Sequence, residues 1–453
     1  PLQPEVAQAA ALSSTSSSDT DYSTHSDTRY DQLREKAEGL IIENQALQKS
    51  NEALKKSNEA LQIRLREAEQ ANENVSRENS ELKKERRTLL NQIQELSGKV
   101  RIMCRVRPPT PKETLENKPL CNICVKNDII IDVKKSDGSS DARSCSGKLR
   151  ETKQEFLFDR VFDRDSSQAD VFEELSLLVQ SALEGFNVCI FAYGQTNSGK
   201  TYTMEGSKEG ECGLQTEGMI PKTVRHIFEQ MKQLELHGWK YEIEASILEI
   251  YNERIVDLIH HDEFKKHEIR VDKNNKDMEV TNPQIKKIGS EEELHECLRT
   301  AQYNRRVAPT QSNERSSRSH SVTKIRLIGT NDTKKKVGSI NLIDLAGSES
   351  VKHDLSPSTE TKNINKSLSS LGNVISALSR NQEHIPYRDS KLTFLLMPSL
   401  SSNSKILMLL NISPLEECYL QTITTLRFGS AITSSNTGSI KERSPRHLRT
   451  PSP

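Results

Sequence analysis

Residues 194–201 read Gly194-Gln195-Thr196-Asn197-Ser198-Gly199-Lys200-Thr201, a complete phosphate-binding loop of the form G-x-x-x-x-G-K-[ST]. The apolar run Val188-Cys189-Ile190-Phe191-Ala192 precedes it and reads as a buried strand. Residues able to start a helix follow. Strand, loop and helix in that order are the context the motif requires. Backbone N–H groups of such a loop, with the positive end of the helix, cradle phosphates. Lys200 is expected to reach the β- and γ-phosphates, and the Thr201 hydroxyl to hold Mg²⁺.

Outward from the loop, the chain reads as four segments. Residues 1–28 are rich in Ser, Thr, Ala and Asp, and disorder is expected there. Over 29–97 a leucine-dominated series recurs every seven residues, from Leu33, Leu40, Leu47, Leu54 and Leu61 to Leu82, Leu89 and Leu96. Three residues before each member runs a second series that includes Asn44, Asn51, Asn58, Asn72 and Asn79. Taken as d and a positions, these predict a left-handed coiled coil roughly 100 Å long. Asn at a pairs across a parallel two-stranded seam at some cost in stability, so a weak parallel homodimer is expected. From 98 to 434 strand patterns (100–107, 241–251, 319–328, 337–345, 405–412) alternate with helical ones (168–183, 363–379). This predicts an α/β domain with a central sheet between helices. Residues 435–453 are Ser-, Arg- and Pro-rich and are expected to form a flexible basic tail.

Composition narrows the classes. The 453 residues allow two or three units, and the formal net charge of zero names no partner. No run of about 18 apolar residues is present, so no membrane span is expected. There is no secretory signal pattern. No nucleic-acid or membrane partner is expected. The first residue is Pro1 rather than Met, as in a fragment. Eight scattered cysteines suit a reducing compartment. Cys121 and Cys124 have metal-like spacing but no second pair nearby, and read as ordinary strand residues.

A phosphate loop alone does not give hydrolysis; Mg²⁺ coordination, a γ-phosphate sensor and a water-positioning group are also needed. The strand 339–344 ends in Asp344, which can hold Mg²⁺ through water, and Gly347 after it can approach the γ-phosphate. Asn313-Glu314-Arg315-Ser316-Ser317-Arg318-Ser319-His320 clusters hydroxyls and cations suited to Mg²⁺ and water.

These segments resemble the kinesin family. Asn313–His320 matches its switch I motif N-x-x-S-S-R-S-H, and 344–349 matches switch II, Asp-Leu-Ala-Gly-Ser-Glu. Arg105-Val106-Arg107-Pro108 matches the adenine-contact motif R-x-R-P, and further family phrases occur at 249–253, 363–368 and 386–393. The resemblance covers about 99–430. It implies a P-loop NTPase motor domain, with a central mixed sheet flanked by helices, that hydrolyses ATP with Mg²⁺ on microtubules. By resemblance, Arg105, Arg107 and Pro108 lie at the adenine and Tyr202 stacks on it. Thr201 and Ser317 ligate Mg²⁺, with Asp344 behind them. Ser316 holds the attacking water, Asn313 belongs to the same catalytic loop, and Gly347 senses the γ-phosphate. Arg318 and Glu349 form the salt bridge that closes the two switches. Lys352, Lys362, Lys366, Arg380, His384, Arg388 and Lys391 form the microtubule-binding face.

The heptads lie just before the motor, and none follows Phe428. That order resembles kinesin-14, the C-terminal motors of Ncd type, and implies minus-end-directed movement and spindle microtubule cross-linking in the cytoplasm. Three departures stand out. Lys99 follows Gly98 where Gly-Asn is usual. Asn197 replaces the usual Gly or Ser, although Asn tolerates left-handed backbone angles. Ser401-Ser402 replaces Gly-Gly. Two other readings are a non-catalytic microtubule-binding subunit and a different phosphate-loop enzyme such as a GTPase. The intact Lys200, Thr201, Ser317, Arg318, Gly347 and Glu349 argue against the first. The chain has no N-K-x-D guanine-reading motif, which argues against the second.

Overall fold

The computed structural model describes residues 23–96, 100–134, 153–207, 215–260, 267–271, 278–280, 285–307, 315–349, 359–400 and 404–436. The junction Gly98-Lys99, Asn313, Lys352, Ser401-Ser402 and the tail from 437 lie outside the described residues. The chain divides between Leu89 and Leu90 into two compact units.

The first unit is built on helix α1 (Ser23–Leu96). Helix therefore begins inside the segment expected to be disordered, because adding one turn to an existing helix costs far less than nucleating one. The d-position side chains Leu33, Leu40, Leu47, Leu54 and Leu61 are all more than half exposed. Within a single chain, then, the described part of this apolar stripe, from Leu33 to Leu61, is exposed.

The second unit opens with β1 (Val100–Val106), α2 (Pro111–Leu115), β2 (Asn122–Lys126), β3 (Ile130–Lys134), β4 (Gln154–Leu157) and β5 (Arg160–Phe162). Then come α3 (Gln168–Leu183), β6 (Asn187–Tyr193), α4 (Lys200–Glu205), α5 (Met219–Glu235), β7 (Lys240–Tyr251) and β8 (Arg254–Asp257). Next are β9 (Ile269–Val271), β10 (Met278–Val280), β11 (Lys286–Ile288) and α6 (Glu291–Val307), then β12 (His320–Thr330) and β13 (Lys335–Asp344). The unit closes with α7 (Thr359–Ser379), α8 (Lys391–Leu396), β14 (Ser404–Ile412) and α9 (Tyr419–Asn436). Helix α9 thus runs through 435 and 436, where tail was expected; helix ends fray and do not stop at a compositional boundary.

The main sheet has the order β11-β7-β12-β13-β6-β14-β1-β5, with β8 beside β7. Strands β13, β6, β14, β1 and β5 pair in parallel, whereas β11, β7, β12 and β13 pair antiparallel. The sheet is therefore mixed, and its central strands are apolar on both faces, as burial between two helix layers requires. On β6, Val188, Ile190 and Ala192 enter one core with α3, α5 and α6. Their neighbours Cys189, Phe191 and Tyr193 enter the other core with α7, α8 and α9. The period of two along one strand joins both layers. Helix α3 starts at Ser167, whose side chain and that of Asp170 form a reciprocal capping box. The carboxyl ends of β6 and β13 lie side by side, with Asp344 opposite Ala192. Loops leaving these parallel ends are where open α/β sheets bind ligands.

Candidate functional site

The phosphate loop turns sharply out of β6. Gly194 has φ 154°, and a Cβ there would lie 2.1 Å from the Asn411 carbonyl oxygen at the end of β14. Only glycine fits. Asn197 sits in the left-handed region at φ 60°, a conformation its short polar side chain tolerates, and Gly199 at φ 94° caps the short helix α4. Lys200 is buried, and its ammonium donates to the carbonyls of Gly194 and Gln195 at 3.0 and 2.9 Å. Burial pushes its pKa down, while Asp344 and Glu349 pull the other way. Ser198 Oγ, Gln195 Oε1 and Asp344 Oδ1 are buried without a hydrogen-bond partner. Orphaned oxygens beside a buried lysine suit a phosphate chain with a divalent cation, so the residues fit Mg²⁺ and a nucleotide.

Three loops converge here. The Thr201 hydroxyl donates to Asp344 Oδ2 at 2.8 Å. The Gly347 N–H donates to the Ser317 carbonyl at 2.8 Å, and the Ser348 N–H to the Gly194 carbonyl at 3.0 Å. Ser316 and Ser317 lie in a 3₁₀ turn just before β12. The residues expected at the Mg²⁺ site, Thr201, Ser317 and Asp344, are thus drawn into one neighbourhood. Gly347, expected to sense phosphate, here directs its N–H at Ser317.

Arg305 on α6 ties the site together and carried no signal in the sequence. Its buried guanidinium lies 3.2 Å from Asp344, 3.3 Å from Glu205 and 3.9 Å from Glu249. It also donates to the carbonyls of Ser316 and Ser319 at 3.2 and 3.3 Å. Burial works against its charge, and the carboxylates of Asp344, Glu205 and Glu249 more than offset this and hold it above its usual pKa. Glu249, fully buried, pairs also with Arg315 at 2.8 Å, and Arg315 lies 4.9 Å from the centre of the Tyr251 ring. His320 is buried beside this cluster, and its Nδ1 accepts from the Ala346 N–H at 3.0 Å. Burial and the charges of Arg305 and Lys200 push its pKa down to about 3, so it is neutral.

Two expected roles meet other partners here. Glu349 and Arg318, expected to close on each other, each hold a different group. The Glu349 carboxylate accepts from the Thr196 N–H at 2.8 Å and from the Thr196 hydroxyl. Arg318 instead donates to Glu360 in the first turn of α7 at 2.9 Å. Each charge has taken the complementary group presented to it, the loop donors for Glu349 and the helix carboxylate for Arg318. Arg107, expected at the adenine, has all five N–H donors committed to protein. They go to the Asn197 carbonyl (2.7 Å), the Pro108 carbonyl (2.9 Å), both Glu113 oxygens (2.7 Å each) and Ser413 Oγ (3.2 Å). It clamps the phosphate loop and has no donor left for a ligand. Its fork holds the Glu113 carboxyl down at about 2. Arg105 is buried too, donating to Gln168 and Thr203 at 2.7 and 3.0 Å. Its guanidinium lies 5.7 Å from the ring centre of Tyr202. Tyr202 and Pro108 are exposed, as a pair meant to enclose a flat ring would be.

A family profile described as the kinesin motor domain matches residues 105–434. The chain belongs to the kinesin family.

Within it, the similarities fall to the C-terminal kinesins. Protein claret segregational of Drosophila melanogaster is 48% identical over 353 residues, which cover 77% of this chain and 48% of that one. Carboxy-terminal kinesin 2 of Xenopus laevis is 47% identical over 357 residues, 77% of this chain and 55% of the other. This kinesin therefore spans about half the length of the curated relatives it matches. Among solved structures it resembles the C-terminal motor and motor homology domain of Kar3Vik1 fused to a synthetic heterodimeric coiled coil. There the TM-score is 0.68 at 39% identity, covering 85% of this chain and 99% of that one. The Saccharomyces cerevisiae KAR3 motor domain gives 0.61 at 40% identity, covering 74% and 100%.

The basic residues of this kinesin's expected track face are mostly in the open. Lys362 and Lys366 project from the exposed side of α7, and Arg380, His384 and Arg388 follow it, all exposed. Lys391 is half-buried at the start of α8, where its backbone N–H donates to Glu253 at 3.0 Å.

Proposed function

We propose that this chain is a microtubule-stimulated ATPase and minus-end-directed motor that slides or cross-links spindle microtubules. The observation that carries this reading is the convergence of three loops on one pocket. Thr201 meets Asp344, Gly347 meets Ser317, and Glu349 meets Thr196. The segments before β12 and after β13 therefore both touch what the pocket would hold.

ATP is the proposed substrate, its phosphates in the 194–201 loop and its base between Tyr202 and Pro108. Thr201 and Ser317 hydroxyls would hold Mg²⁺, with Asp344 behind them; when bound, the cation neutralises charge on phosphate oxygens. Ser316 positions water. Glu349, seated on the loop, is available to take a proton through solvent. Arg107 and Arg305 keep the loop and Asp344 in place, and touch no substrate.

The exposed cations of α7 and the segment after it suit the acidic surface of tubulin, and such binding weakens with salt. The bare leucine stripe of α1 supports a coiled-coil homodimer, in which the rod acts as a lever. The named relatives support a cytoskeletal, spindle-associated location. A non-catalytic microtubule-binding subunit is the second reading, and the Kar3Vik1 assembly, with its motor homology domain, is the reason to keep it.

The test is gliding of polarity-marked microtubules on the surface-bound full chain with Mg-ATP. Gliding with the plus end leading is expected. Gliding with the minus end leading would overturn the assigned direction. Binding without gliding or ATP turnover would favour the non-catalytic reading.

A further inference from the structure

We propose that His320 is the positioning residue that latches the segment after β13 to helix α7, through a hydrogen-bond chain that runs in one direction only. The latch rests on the reading of this chain as a microtubule-stimulated ATPase and is a linkage within it.

Each step follows from donor and acceptor chemistry. The Ala346 N–H can only donate, so His320 Nδ1, 3.0 Å away, must present a lone pair. In the neutral ring the proton then resides on Nε2, which lies 2.7 Å from Ser367 Oγ. Ser367 Oγ accepts it and passes its own hydrogen to the Ile364 carbonyl at 2.8 Å, which can only accept. The direction is therefore Ala346 N–H to His320, His320 to Ser367, Ser367 to Ile364.

The ends of the chain give it meaning. Ala346 lies between Asp344, which receives Thr201, and Gly347, which donates to Ser317. Ser367 is on the buried side of α7, next to exposed Lys366. The rest of that side meets the sheet through Leu368, Leu371, Val374 and Ile375. Apolar contacts are non-directional and let a helix slide. A hydrogen bond weakens steeply when its angle falls, so it fixes the register of α7 against the nucleotide-facing segment. His320 also begins β12, so the ring is anchored by the sheet between the two elements it joins. Asp344 and Arg305 hold their neighbours by charge; the His320 link carries no net charge and joins Ala346 to α7 through a single side chain.

The test uses the full chain and three variants. Ser367→Ala removes the acceptor at the α7 end, on an element outside the phosphate loop. Ser367→Thr keeps the hydroxyl. His320→Asn keeps a short acceptor for Ala346 but does not reach Ser367. Basal and microtubule-stimulated ATPase are measured together, with ¹⁵N-histidine NMR of the wild type. Losing one neutral hydrogen bond should lower microtubule stimulation by about three- to tenfold in Ser367→Ala and His320→Asn. The basal rate of Ser367→Ala stays at the wild-type level, and Ser367→Thr restores stimulation. A purely structural role would lower both rates by the same factor, and that outcome overturns the proposal, as does unchanged stimulation in Ser367→Ala. The NMR arm is independent of activity: wild-type His320 should carry its proton on Nε2, and a proton on Nδ1 would refute the chain. If the wild type shows no microtubule stimulation, the functional reading fails. The latch then stands or falls on the tautomer and on whether Ser367→Ala speeds hydrogen exchange at the Ala346 amide.

Discussion

Replacing Arg305 with Met is the sharpest test of how the site is held. The Arg305 side chain is 5% exposed, Asp344 2% and Glu249 0%. Met matches the apolar stem but brings no donor. Glu249 keeps Arg315 at 2.8 Å, so the group left with least compensation is Asp344, which retains the Thr201 hydroxyl and the attraction of the Lys200 charge. Removing one partner of a buried ion pair costs about 3–5 kcal/mol. Out of a total stability of about 5–15 kcal/mol, that is a large fraction. The assay is urea unfolding of the full chain at one fixed nucleotide concentration, because a ligand of the native state shifts the midpoint. Arg305→Met should unfold at clearly lower urea. Adding Asp344→Asn, which removes the stranded charge, should recover about 1–3 kcal/mol in a double-mutant cycle. Arg305→Lys should recover only part, since an ammonium cannot face three carboxylates and two carbonyls as a planar fork does. If Arg305→Met lies within about 1 kcal/mol of wild type, or Asp344→Asn gives no coupling, then Arg305 does not hold Asp344 and the reasoning is wrong.

Three further outcomes follow from the same geometry. Gly194→Ala forces a Cβ to 2.1 Å from the Asn411 oxygen; titration with a fluorescent nucleotide should show affinity weakened by about tenfold or more. Glu113→Gln removes the charge that fills the Arg107 fork. It should cost about 1.5–3 kcal/mol in thermal unfolding and speed nucleotide release, as the Asn197 carbonyl loses a fixed donor. His320 supplies a pH signature. Its folded pKa of about 3 lies below the ordinary histidine value of 6.5. Between these values the unfolded chain takes a proton that the folded one refuses. Its contribution is full above pH 6.5 and is lost as pH falls toward 3, at up to about 1.4 kcal/mol per unit. His320→Gln should flatten that limb of a stability–pH curve by about this slope, and an unchanged slope would show that the ring is solvated.

The phosphate loop was legible because its signature is a set of backbone constraints. Gly194, Asn197 and Gly199 sit at the positive φ values that their residue types predict. Helix 168–183 and the strand run 188–192 were legible from their apolar patterns, and the strand extends one residue further at each end. What stayed hidden was pairing at long range. Arg305 meets Asp344 across 39 residues, Arg105 meets Thr203 across 98, and Arg107 meets Ser413 across 306. No local pattern marks which arginine turns inward. Arg318 shows the limit most clearly. Family resemblance supplies its identity, and two carboxylates, Glu349 and Glu360, lie within reach in sequence terms. Choosing between them depends on where α7 begins and what Thr196 offers, and neither is written near residue 318.

The chemistry of the interior also explains why histidine, and not a third cation, stands between the switch segment and α7. Lys200 and Arg305 already set two positive charges against the ring, and the carboxylates of Asp344 and Glu249 face Arg305. A lysine at 320 would add an unpaired buried charge, which is expensive in low dielectric. It would also leave the Ala346 N–H without an acceptor, since an ammonium has none. Serine or threonine would supply both roles but is too short to reach from Ala346 to Ser367 through one side chain. Asparagine and glutamine offer an acceptor and a donor on a single amide carbon, so both would point the same way. Neutral imidazole places its acceptor and its donor on separate edges of a rigid ring, facing Ala346 on one side and Ser367 on the other. Burial first, and then the two cations that serve the phosphate loop and Asp344, thus keep His320 neutral, and neutrality is what leaves Nδ1 free to accept from Ala346.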